Sequence, residues 1–271
     1  MDYEPNGIQR KKTMALLHVW LTLPFVLLSC NEYKSKSNNN ATDKKIVAIN
    51  PYKQIQAIPL PAGFERIHTD TGSFAAYLRN IGLKEQTTVY LFNGQPKHNQ
   101  AAQYALLNIS VGNTDLQQCA DAVMRLRAEY LYSRKQFQQI IFKDNNSTVY
   151  AFDAPYTREH FDRYLSRVFG MCGSASLSKQ LRPVQNFTDI EPGDVLIRGG
   201  FPGHAVIVMD VAANGAGKKI YLLAQSYMPA QDIHVLKNPL NENGSPWYDV
   251  NDDAVIQTPE YTFIRRELMT W

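Results

Sequence analysis

The hydrophobic pattern divides this chain into an apolar opening, a polar stretch and a long patterned body. Residues 14–28 form an apolar run broken only by His18, Thr22 and Pro24, and Arg10, Lys11 and Lys12 precede it. Residues 31–45 (NEYKSKSNNNATDKK) are almost wholly polar. A stretch with so little apolar surface cannot repay its ordering entropy by burial, so it reads as a flexible tether. The body begins near Ile55, with a proline-bearing extended segment over 55–66. Phe74, Tyr77 and Leu78 then fall at helical spacing after Ser73, predicting a short helix to Arg79. Residues 87–92 (TTVYLF) are β-branched and aromatic and close on Asn93-Gly94; with a second strand over 105–111 they predict an antiparallel pair.

The clearest helical signal follows. Thr114 and Gln117 have the spacing of a capping box, and Asp115 lies where the first turn favours a negative charge. The apolar stripe Cys119, Val123, Leu126 and Tyr130 sets Cys119 in the second turn, on the buried face. Another helix is predicted over 158–169 and a short one over 174–181, separated by Gly170 and Gly173. The remainder reads as β. Residues 194–197 form a strand after Pro192-Gly193, and the loop 199–203 (GGFPG) cannot be regular. The strand 204–211 (HAVIVMDV) turns at Asn214-Gly215-Ala216-Gly217 and returns over 219–225 as a hairpin. A short strand over 233–236 follows, and the aromatic, proline-broken tail from Pro246 packs over the body. The expectation is a single α+β domain over 55–271, a central antiparallel sheet packed on a buried helix, with further helices inserted.

Composition narrows the classes. The 271 residues are 44% hydrophobic, with 15 Gly and 14 Pro, which is too apolar for a disordered chain and too poor in Gly and Pro for a fibrous one. The net charge of +3 is small and evenly spread, so no nucleic-acid partner is expected. Three cysteines, at 30, 119 and 172, make neither a disulfide framework nor a metal knuckle. His160 and His234 lack companions at ligand spacing, and no carboxylate pair has the spacing of a glycosidase, so no metal or cofactor is expected.

The opening is an address label. Its run of about fifteen apolar residues is shorter than the ~20 a spanning helix needs and suits a signal-peptide core. Leu27-Leu28-Ser29-Cys30 resembles the lipobox of bacterial lipoproteins. That resemblance implies a signal peptide over 1–29, lipid on Cys30, an attachment and tether over 30–54, and a cell-envelope location on a membrane facing the periplasm or exterior. An uncleaved anchor and an ordinary signal peptide are the alternatives.

For chemistry, Cys119 and His204 stand out. A thiol is nucleophilic as thiolate, and a helix start and a nearby imidazole both help to form it. Asp210 shares a strand with His204 but lies about 20 Å along it, too far to orient the ring. Gln225 comes opposite His204 when the hairpin folds. Glu191-Pro192-Gly193-Asp194-Val195-Leu196-Ile197, a loop, then Gly203-His204-Ala205-Val206 resembles the second half of the papain-like cell-wall amidase and endopeptidase superfamily. The resemblance implies a papain-like fold, Cys119 as nucleophile, His204 as proton shuttle and Gln225 as its orienting amide, with cell-wall peptide as partner. Gly200, Pro202 and Gly203 of the loop, with Tyr227, are the candidate substrate-binding residues. Two departures from that pattern are the long spacing between Cys119 and His204 and the Ala120-Asp121 pair after the cysteine. LQQCADAVMRLRAEYLY, GGFPGHAVIVMDVA and LLAQSYMPAQDIHVLKNP resemble an uncharacterised family of bacterial lipoproteins, which lends no activity.

Competing readings remain at this level. Cys119 on an apolar stripe is equally a small core hydrophobe, and a Cys119–Cys172 disulfide would remove the nucleophile. The leading expectation is an amide-cutting thiol hydrolase. The alternatives are a non-catalytic envelope lipoprotein binding a glycan, peptide or protein on the same scaffold, and an acyltransferase using the same cysteine.

Overall fold

The computed structural model describes residues 49–271; the signal peptide, Cys30 and most of the tether expected from the sequence lie outside them. Four α-helices occur among the described residues: α1 (Phe74–Arg79), α2 (Cys119–Ser133), α3 (Arg158–Met171) and α4 (Ser174–Leu177). The strands are β1 (Phe64–Arg66), β2 (Gln103–Leu106), β3 (Ile141–Lys143), β4 (Val149–Ala151), β5 (Arg182–Pro183), β6 (Val195–Arg198) and β7 (His204–Asn214). They continue with β8 (Lys219–Gln225), β9 (His234–Leu236), β10 (Trp247–Asp249), β11 (Val255–Gln257), β12 (Thr262–Ile264) and β13 (Leu268–Thr270). Nine of them form one antiparallel sheet in the order β2-β9-β8-β7-β6-β13-β5, with β1 on β7 and β10 on β8. The pairs β3–β4 and β11–β12 are separate hairpins. The fold is therefore α+β, a large antiparallel sheet with few helices.

The sheet is buried on both faces, and the long strand shows it by being apolar almost throughout rather than alternating. Ala205, Ile207 and Met209 face a core shared with Ala120, Val123 and Leu126 of α2. Val206, Val208 and Val211 face a second core containing Tyr221, Tyr248 and Phe263. Asp210, fully buried, accepts from Arg66 Nε and Arg79 Nε at 2.6 Å each. It ties β1 and α1 to β7, which is the work of the carboxylate that the sequence excluded as a partner of His204.

Several elements differ from expectation. Helix α2 begins at Cys119, not at Thr114. The Thr114–Gln117 box does not form, because Asp115 instead accepts from Ala230 N and from the Gln118 amide. Asp121 caps the helix in its place, accepting from Gln118 N at 3.0 Å. No strand runs over 87–92. The Asn93-Gly94 turn does form, through Gly94 N to Leu91 O, but only the isolated bridges Tyr90–Pro96 and Leu91–Gln231 flank it. Strand β2 pairs with β9 rather than with that segment. The tail does more than cover the body: β10 adds to β8, and β13 inserts between β6 and β5.

The hairpin β7–β8 carries a bulge. Ala213 through Asp210 pair with Lys219 through Leu222, but Val208 pairs with Leu223, leaving Met209 extra. Met209 therefore shifts the pairing by one residue. On the far side of the bulge Ile207 faces Ala224, so Val206 falls beside Gln225. His204 and Gln225 are thus diagonal neighbours on one face, not directly opposed as a hairpin folded about Asn214-Gly215 would have them.

Candidate active site

The N-terminus of α2, the start of α4, the loop 199–203 and the turn after β8 enclose a cavity of about 330 Å³. Cys119, His204, Gly200, Pro202, Gly203 and Tyr227 all line it. Six of the seven catalytic and substrate-binding positions chosen from the sequence therefore meet at one cleft. The seventh, Gln225, is buried behind His204. The loop is shaped by close approach: a Cβ on Gly203 would collide with the Gly200 carbonyl oxygen, the Ser174 hydroxyl and the Arg198 carbonyl. Phe201 at the rim is 95% exposed and Met228 58%, giving the cleft an apolar lip.

Cys119 is the first residue of α2, where backbone N–H groups have no intrahelical acceptors. Burial pushes its thiol above the ordinary range, and the Asp121 carboxyl adds to this; the N–H groups of Ala120, Ala205 and Cys119 itself pull the other way. The contact with Ala205 N–H sets the sulfur against the peptide that follows His204. Among the described residues no hydrogen bond joins the thiol to the imidazole. Cys172, lining the same cavity, is also a free thiol, so the disulfide alternative does not hold. Burial holds it up as well, at about 11.

The imidazole is tightly held. His204 packs against Tyr227, Tyr261 and Phe263, with ring centroids at 4.7, 5.0 and 5.9 Å. Burial lowers it to about 4, although the Gln225 hydrogen bond and the Glu260 charge oppose the shift. Its Nε2 lies 2.8 Å from Gln225 Oε1. An amide oxygen only accepts, so Nε2 carries the proton and Nδ1 keeps its lone pair. Gln225 Nε2 in turn donates to Glu260 Oε2 at 2.7 Å. Glu260 also takes Lys97 Nζ, and Asn99 Nδ2 at 2.9 Å. His234 Nε2 stands 3.5 Å from the same amide nitrogen.

Glu260, Lys97, Asn99 and Tyr261 are the neighbours of the site that sequence reasoning missed. Glu260 and Tyr261 sit in the turn between β11 and β12, and Lys97 lies in an irregular segment. Neither place carries a periodicity or a motif that would mark it. Among the described residues no group of three or more His, Cys, Asp or Glu is arranged to hold a metal ion.

Compared with known proteins, residues 55–154 and 143–270 match the model of the family described as Domain of unknown function (4846). No curated protein and no solved structure matches the chain. The matched segments span most of the chain, which therefore belongs to that family.

Proposed function

We propose that this member of the domain family 4846 is a lipid-anchored envelope thiol hydrolase that cuts an amide bond in cell-wall peptide, on a scaffold related to the papain-like amidases. The observation that carries this reading is the 2.8 Å bond between His204 Nε2 and Gln225 Oε1 behind a cavity that Cys119 also lines. That bond leaves Nδ1 as the basic nitrogen, the one a thiol triad with an amide third member uses.

In the proposed reaction His204 Nδ1 takes the thiol proton as Cys119 Sγ bonds to the substrate carbonyl carbon. The carbonyl π electrons move to oxygen, where the N–H groups of Cys119 and Ala120 at the start of α2 are the candidate donors. The C–N bond then breaks, and the imidazolium gives its proton to the leaving amine. Water, deprotonated by the same nitrogen, attacks the thioester and releases the acid, restoring the thiol. Burial keeps the resting thiol and imidazole neutral, so the proton moves when substrate enters rather than beforehand.

The test is incubation of the purified chain with cell-wall peptide fragments, with products read by mass spectrometry. Hydrolysis is expected, falling by roughly 10³-fold or more in Cys119→Ala and in His204→Ala. Turnover undiminished in Cys119→Ala would end the proposal. The second reading, a non-catalytic binder, draws on the raised thiol and the missing thiol–imidazole hydrogen bond. It predicts retained fragment binding with no product from wild type or variant.

A further inference from the structure

The side chain of Gln225 could face His204 by either end, and only one end makes His204 a base toward the cleft. We infer that Glu260, held by Lys97, is a positioning residue that fixes the direction of the Gln225 amide and thereby the tautomer of His204; the inference rests on the hydrolase reading for its catalytic meaning.

Three observations converge. An ionised carboxylate accepts and cannot donate, so the group 2.7 Å from Glu260 Oε2 must be the amide nitrogen. His234 stands on the same side. Its Nδ1 lies 2.8 Å from the Asp232 carbonyl oxygen, which makes Nδ1 a donor and leaves Nε2, 3.5 Å from the Gln225 nitrogen, as an acceptor. Both neighbours therefore call for N–H, and the oxygen is left to His204. Glu260 is kept ionised within the protein: burial alone would raise it, but the hydrogen bond and charge of Lys97, with Asn99, hold it below its ordinary value. The Lys97–Glu260 pair is itself largely buried, with side-chain exposures of 9% and 13%. A buried ion pair costs desolvation and adds little net stability, so a directional role accounts for it better than a stabilising one.

With Glu260 present, Gln225 presents oxygen, Nε2 of His204 holds the proton, and Nδ1 is free to take one. Without an acceptor at 260 only the long 3.5 Å contact with His234 Nε2 opposes a turn of the amide, which then presents N–H to Nε2 and moves the imidazole proton to Nδ1, where it blocks the thiol. The remaining groups facing His204, the rings of Tyr227, Tyr261 and Phe263, make no competing demand on Nε2.

The test reads the ring nitrogens of His204 by ¹⁵N NMR of the full chain at neutral pH, with the signals assigned by their loss in His204→Ala. Two double variants avoid stranding a buried ammonium. Lys97→Met with Glu260→Leu removes the acceptor, and Lys97→Met with Glu260→Gln keeps an acceptor oxygen of the same shape. Wild type is expected as the pure Nε2–H tautomer. The leucine variant should show Nδ1–H signal and slower alkylation of Cys119 by iodoacetamide, by roughly tenfold. The glutamine variant should return to the wild-type tautomer and rate. A leucine variant with the wild-type tautomer, or two variants that lose it equally, overturns the inference. These spectra do not depend on turnover, so hydrolysis that survives Cys119→Ala would remove the hydrolase reading and leave the positioning result standing.

Discussion

An imidazole enclosed by two tyrosines and a phenylalanine resists protonation, because the cation would lose its hydration for one amide contact. The consequence for His204 is a titration displaced from the ordinary 6.5 to about 4. Its folded-state value lies below its unfolded one. The stability this group contributes is present above about 6.5 and is lost as pH falls toward about 4. His234, wholly buried and also held near 4, behaves alike. The expected result is that the His204 ring signals in an NMR pH titration move with a midpoint near 4, and that the acid limb of any pH–rate profile lies there too. A midpoint near 6.5 would show that water reaches the ring. Cys119 and His204 stand out in the sequence because each carries chemistry and His204 opens a strand after an irregular loop; that Cys119 opens its helix was not legible, since Thr114 and Gln117 imitate a cap. Glu260 was not legible, since one carboxylate in a hairpin turn looks like any solvated charge until the sheet brings it to Gln225.

Among the elements, the sequence reading succeeds where local pattern and tertiary packing agree. The strand after the 199–203 loop, its return strand and the helix over 158–169 lie within a few residues of their expected bounds. It fails where a partner distant in sequence decides. Asp115 has its acceptor used by Ala230, so the helix it was expected to start begins at Cys119, with Asp121 as cap. Residues 87–92 have strand composition, yet Val89 N and Tyr90 N bond to the side chains of Gln100 and Asp232 instead of to a neighbouring strand. The Asp210 clamp is likewise a long-range device, joining β1, α1 and β7 through two arginines. Removing its carboxylate strands two guanidinium groups against the core. Asp210→Ala is expected to lower unfolding stability by about 3–5 kcal/mol in denaturant titration. A loss under about 1 kcal/mol would mean that water readily replaces the pair.

At the scale of the whole molecule, the C-terminal tail completes what the central hairpin starts. β13 closes the edge of β6, β10 closes that of β8, and the β11–β12 turn brings Glu260 and Tyr261 to the site. The fold class was visible in advance, whereas the tail's contribution was not, because its strands are only three residues long and give too few positions for alternation to register. The proposed anchor belongs to this scale as well: cell fractionation should find wild type with membranes and Cys30→Ser in the soluble fraction. Equal membrane association of both would withdraw the lipid. The bulge at Met209 has a consequence of another kind, which concerns parity. Counted outward from the turn in strict alternation, position 204 falls on the opposite side of the sheet from position 225, and the one surplus residue inverts that count. A relative could keep the same histidine and the same glutamine in the same two strands and still hold them a backbone apart. Keeping this pair on one face therefore requires an odd number of surplus residues, and relatives should be compared by where that residue sits as well as by which residues they share.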